Sequence, residues 1–357
     1  MNPGPAPGPV HERRIDHPAA WTRAGLGGRE AITRRFSAAE LDAFDALLAR
    51  TRDRPPQQLQ RDDVVERPLI DLFARLRDEL LDGRGAILLG GLSSQYADAE
   101  DLERIYWAIG THLGHAAVQS RNGDRLGRVE RDDTDPVARG YRSAGELSMH
   151  TDSYEIVGLL CIRKAARGGQ SALVSSLAIH NVLLAERPDL LPPLYEGFRL
   201  AIPEARLGSQ PVTDAPIPVF CNVDGVVSCM FAASFIREAS RMTGTPLPAG
   251  LDEALRIFLE VANRDDLALR FTLEPGEILL WHNFTHLHAR TEFEDEPGHR
   301  RLLLRLWLTV PGGRRFVTAF NARGAAYDRV HREHGQKPSD APQGRDAAQP
   351  AEPEPSR

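Results

Sequence analysis

From about residue 145 the chain breaks into short apolar stretches separated by turn residues, and this punctuation limits the possible folds most strongly. Candidate strands fall at 147–152, 156–164, 171–175, 198–202, 217–222 and 226–231, the last two joined by an Asp224-Gly225 hairpin turn. A helical insert follows at about 233–262. Further strands are expected at 267–273, 277–282, 285–290 and 301–309, with Glu274-Pro275-Gly276 as a turn. Many short strands with long excursions between them build a sandwich or jelly roll that carries its helices outside.

The region before residue 145 reads differently. Ser37-Ala-Ala-Glu40 is a capping box opening a stretch with Leu41, Phe44, Leu47 and Leu48 at helical spacing. Leu69, Phe73, Leu76, Leu80 and Leu81 predict a second helix over 67–81, stopped by Gly83. A buried strand at 86–92 and a helix near 98–112 complete a helical N-terminal layer. The expected architecture is mostly β with α, as one domain over residues 21–335. Residues 1–20, rich in Pro and Gly, and residues 336–357, rich in Pro, Gln, Ala and charge, read as disordered tails.

Composition removes several function classes. A net charge of −6 over 357 residues gives no reason to expect nucleic acid as a partner. No apolar run approaches the ~18 residues of a membrane span, and the N-terminus lacks the apolar core of a secretion signal. Three scattered cysteines (Cys161, Cys221, Cys229) make neither a disulfide framework nor a zinc cluster. A soluble, cytoplasmic protein is expected, and a homo-oligomer is compatible with the sequence. Only Lys164 and Lys337 are lysines, so almost every cation is an arginine and a single Arg carries little weight.

Against that background a few residue patterns carry chemistry. If 147–152 runs as a strand, alternation puts His150 and Asp152 on one face, about 7 Å apart. His282, His286 and His288 share one parity, so any of them can supply a third ligand, and parity cannot choose among them. Two histidines and one carboxylate leave coordination positions open and are the ligand set of non-heme Fe(II) oxygenases. The same set also serves catalytic zinc, so a zinc-dependent hydrolase competes, as does a non-catalytic ligand-binding sandwich. On 301–309, Leu302, Leu304, Leu306 and Leu308 share one face while Arg301, Leu303, Arg305 and Trp307 share the other. Two guanidiniums on so apolar a strand are expensive to bury unless they meet anions. A planar fork fits a carboxylate bidentately, so one arginine suits a dicarboxylate co-substrate and the other an acidic group on a substrate. Gly168-Gly169-Gln170-Ser171 is a tight turn whose Ser171 hydroxyl could bond the same carboxylate as the arginine. The Arg- and Asp-rich segment from Gln119 to Tyr141, just before the first of these strands, reads as a solvated loop or a lid.

Together these residues resemble the taurine dioxygenase/clavaminate synthase-like family of Fe(II)- and 2-oxoglutarate-dependent oxygenases. The resemblance rests on His150-Thr-Asp152, the Gly168–Ser171 turn, Gly276-Glu-Ile-Leu-Leu-Trp-His-Asn283 leading into Leu287-His288-Ala-Arg290-Thr291, and Arg301 with Arg305. It implies a double-stranded β-helix (jelly-roll) core with iron held by His150, Asp152 and His288. It implies Arg301 and Ser171 as partners of the 2-oxoglutarate distal carboxylate, Ser standing where the family usually has Thr. Arg305, His286 and Asn283 would then line the substrate pocket or steady the metal ligands. With O2 the implied reaction oxidises a C–H bond of a small molecule, most simply by hydroxylation, and releases succinate and CO2. Asp152 points to oxygenation, because halogenases of this chemistry lack the carboxylate.

Overall fold

The computed structural model describes residues 8–92, 95–119, 123–131, 143–202, 211–322, 324–325 and 329. The core is a double-stranded β-helix made of two sheets facing each other. The larger sheet has seven strands, in the order Thr33–Arg35, Ala86–Gly90, Ile278–His282, Ile156–Arg163, Leu302–Thr309 and His115–Ala116, with Leu126–Val129 also paired to Leu302–Thr309. The smaller sheet runs Leu269–Phe271, Ser171–Ser175, His286–Arg290, Leu147–His150.

The outer face of the larger sheet is covered by the N-terminal helices. Ser37 and Glu40 close the predicted capping box: Glu40 N–H donates to Ser37 Oγ at 3.3 Å and Ser37 N–H to Glu40 Oε2 at 2.9 Å. Helix Ala38–Thr51 then buries Phe44, Leu47 and Leu48 beside Leu69, Phe73 and Leu76 of helix Arg67–Leu81. Leu302, Leu304, Leu306 and Leu308 face this layer as the alternation predicts, while Leu303 and Trp307 face the space between the sheets. Each buried leucine contributes about 1.5–3 kcal/mol. The outer face of the smaller sheet is covered by Ser176–Glu186, Leu191–Glu196, Ala233–Thr243 and Leu251–Ala262. The expected helical insert is thus two helices, split by a segment holding Gly244, Pro246, Pro248 and Gly250.

Three expectations fail locally. Strands at 198–202 and 217–222 reduce to isolated bridges, Phe198 to Ile217 and Ala201 to Val212, before a hairpin strand at Phe220–Val223. Pro216 and Pro218 flank Ile217 and cannot donate to a ladder. The Asp224-Gly225 turn is present, with φ of 51° and 84°. Second, residues 8–20 are tied down rather than free. Gly8 N–H donates to Asn222 O, Ile15 N–H to Asn181 Oδ1, and Ala19 O accepts the Ser175 hydroxyl. Third, the three histidines do not share one face: between the two strands expected at 277–282 and 285–290 the chain turns at Asn283-Phe284-Thr285, so His282 ends a strand of the larger sheet while His286 and His288 begin one of the smaller. Residues 1–7 and 336–357 lie outside the described residues, as does much of the 119–141 segment. Among the described residues no helix is long and apolar enough to cross a membrane.

Candidate metal centre

Antiparallel pairing of Leu147–His150 with His286–Arg290 puts His150 directly opposite His288, with ring centroids 4.2 Å apart. Asp152 does not share a strand with His150, because the ladder ends at His150 and the chain bends. The bend has a built frame. Asn283 Oδ1 accepts the Asp152 N–H at 3.0 Å, while its amide donates to the carbonyls of Asp152 (2.9 Å) and Tyr154 (2.8 Å). Thr151 N–H donates to Phe231 O at 2.9 Å, and Phe231 N–H donates back to the Thr151 hydroxyl. This frame returns the Asp152 carboxylate to the histidines. One donor atom from each of His150, Asp152 and His288 then lies within 4.8 Å of the other two.

The donor set suits a divalent metal. His150 Nδ1 sits 2.8 Å from Ser148 O, which accepts its proton and so makes Nε2 the ring nitrogen able to ligate a metal. Burial, then the neighbouring His150, pushes His288 down to about 3, so its imidazole is neutral. Its Nε2 lies 3.7 Å from Asp152 Oδ2. Burial alone would push the Asp152 carboxyl up, yet Arg305, His288, His150 and the Trp307 indole N–H together hold it below the usual range. That N–H donates to Asp152 Oδ2 at 2.8 Å, fixing one carboxylate oxygen. The Arg305 guanidinium stacks over the same indole at 3.9 Å, and its Nε donates to Gln119 Oε1 at 2.8 Å.

At the start of Leu302–Thr309, Arg301 is 4 % exposed and burial pushes it down to about 10. Its Nη1 is buried with no hydrogen-bond partner among the described residues. Gly168 and Gly169 both adopt positive φ, and a Cβ on Gly168 would collide with Glu292 O, so the turn requires glycine there. The turn delivers Ser171, which is buried and pairs across the ladder with Arg290.

The other candidates separate. Asn283 acts on backbone, as the clamp just described. His286 stays out of the triad: fully buried, it packs on Trp21 at 5.2 Å and bonds Thr285 Oγ1 at 2.9 Å through Nδ1. Residue patterns placed Trp307 on the arginine face but gave no task to it or to Gln119, and Arg290 entered only as part of the motif around His288.

The family model described as "Taurine catabolism dioxygenase TauD, TfdA family" matches residues 50–307. The FR-33289 synthase of Streptomyces rubellomurinus (strain ATCC 31215) is 30% identical over 266 residues, covering 70% of this chain and 76% of that protein. The taurine hydroxylase-like protein SAT17 of Stachybotrys chartarum (strain CBS 109288 / IBT 7711) is 27% identical over 328 residues, covering 84% and 83%. A solved asparagine oxygenase in complex with Fe(II), 2S,3S-3-hydroxyasparagine and succinate superposes with a TM-score of 0.61, at 19% identity, over 78% of this chain and 94% of that one. That last likeness is one of fold.

Proposed function

The chain belongs to the TauD/TfdA family and is a 2-oxoglutarate-dependent non-heme iron dioxygenase, and from that premise we propose that it hydroxylates a C–H bond of a small-molecule substrate. In this reading His150, Asp152 and His288 hold Fe(II), Arg301 and Ser171 bind the distal carboxylate of 2-oxoglutarate, and Arg305 faces the substrate. The observation that carries it is the cross-strand meeting of His150 and His288 with Asp152 bent into the same space.

Bound iron with 2-oxoglutarate and O2 supplies oxidative decarboxylation to succinate and CO2, coupled to oxidation of the substrate C–H bond. The protein's own residues do the rest. Ser148 O and the Trp307 N–H orient two of the ligands, so little reorganisation remains when metal enters. Arg301 anchors the co-substrate end far from the reacting atoms. Trp281, with its ring 4.7 Å from that of His288, and Tyr154, 5.4 Å from Trp307, are buried aromatic walls beside the ligands. A zinc hydrolase would leave the inward Arg301 without a task.

The test is anaerobic Fe(II) titration followed by succinate measurement over a panel of small acids, amino-acid derivatives and nucleotide-like anions. Fe(II)- and 2-oxoglutarate-dependent succinate release that one panel member stimulates is the expected result. A product carrying no added oxygen would sink hydroxylation while leaving the family chemistry intact.

A further inference from the structure

We infer that Arg290 is a second guanidinium of the co-substrate carboxylate site, a specificity-determining residue acting beside Arg301. The inference rests on the reading of Arg301 and Ser171 given above and extends it to a residue on the sheet of Ser171, opposite the strand that Arg301 begins. Arg290 ends the strand that carries His288, points to the same face as that histidine, and stands directly across from Ser171. Its guanidinium carbon lies 4.6 Å from the centre of the Phe293 ring, and that of Arg301 lies 5.1 Å from the same centre. The two cations therefore share one aromatic platform at the Ser171 end of the site.

Among the described residues neither guanidinium makes an ion pair; the nearby Asp295 carboxylate, which accepts the Arg301 backbone N–H at 2.8 Å, favours the Arg301 charge without reaching its guanidinium. Arg290 Nη2 donates to the carbonyls of Ser143 and Gly145, which staples the approach to the His150 strand. A staple needs only that one nitrogen. Arg290 Nε and Nη1 remain buried without partners, as does Arg301 Nη1. Buried donors on two adjacent like charges are costly alone and become favourable around an anion. A carboxylate beside the Ser171 hydroxyl meets both charges and uses the spare donors.

The test compares equilibrium binding of 2-oxoglutarate with that of pyruvate, which shares the keto-acid end but lacks the distal carboxylate. Both are titrated anaerobically into the Fe(II)-loaded protein. R290Q is expected to weaken 2-oxoglutarate by about 10- to 100-fold and to leave pyruvate where it was. Equal weakening of both ligands, or of neither, overturns the inference in favour of a staple alone. R290K keeps a cation able to reach the carbonyls but loses the planar fork, so it should give an intermediate preference. Should R290Q fail to fold, an R290K preference equal to wild type overturns the inference. A wild-type protein with no preference for 2-oxoglutarate over pyruvate would strike instead at the co-substrate assignment, as would an R301Q variant that keeps it.

Discussion

The two sheets contribute different chemistry to one cavity. From the smaller sheet come two imidazoles, His150 and His288, set opposite each other by a single register. From the larger come cations and a hydrogen-bond donor, Arg301, Arg305 and Trp307, all on the face opposite the leucines. Asp152 belongs to neither and sits on the bend that leads from one sheet to the other. Metal affinity and anion affinity are thus separable by residue, and the bend is where they meet: Trp307 of the larger sheet holds the carboxylate that completes the pair from the smaller.

That division can be broken by substitution. D152A removes the joining group, and tight Fe(II) binding and succinate formation should both fall by about a thousandfold, some 4 kcal/mol; anaerobic metal titration reads the first directly. R301Q should separate the two affinities, weakening 2-oxoglutarate by roughly a hundredfold while Fe(II) affinity stays near wild type. Loss of both together would mean that metal and anion binding are not independent. W307F keeps a flat ring beside Arg305 but deletes the N–H, so Fe(II) affinity should fall by about tenfold or more with the preference for 2-oxoglutarate over pyruvate retained. An unchanged metal affinity in W307F would reduce Trp307 to packing.

An effect outside the site concerns the layer behind the smaller sheet. His180 is buried in helix Ser176–Glu186 against the Tyr195 hydroxyl, and burial pushes it down to about 4. The unfolded chain takes up a proton near pH 6.5 that the folded protein refuses until about pH 4. This contribution to stability is therefore complete above pH 6.5 and is lost as pH falls through that window. Between pH 7 and 5 the loss is on the order of 2 kcal/mol. Unfolding midpoints of wild type and H180Q measured across that range should converge toward acid by a comparable amount, and parallel curves would refute the assignment.

Much of this was readable from residue order, for identifiable reasons. The 302–309 strand showed both faces because one face is uniformly leucine and the other holds charge. The Ser37 capping box and the Asp224-Gly225 turn are local devices, set by residues a few positions apart. Features that depend on distant partners were not readable. Nothing local in Ser-Met-His-Thr-Asp reports that Asn283 and Phe231 will bend the chain after His150. The break between 277–282 and 285–290 was readable, but not that it sends His282 to one sheet and His286 and His288 to the other, so their common parity misled. Arg290 was visible as part of the Leu287–Thr291 motif, but its own task was not, because that depends on Ser171, Phe293 and Arg301, which only the folded sheets bring beside it.

The pairing of His150 with His288 has a kinetic side. These residues lie far apart in sequence, and closing their ladder brings together two strands separated by the whole helical insert. Contacts of such separation form slowly, because loop-closure entropy is spent before they return anything. Iron capture during refolding should then follow the slowest folding phase, with chelator present or absent leaving that phase unchanged. The metal centre would serve as a clock for the last step of chain closure.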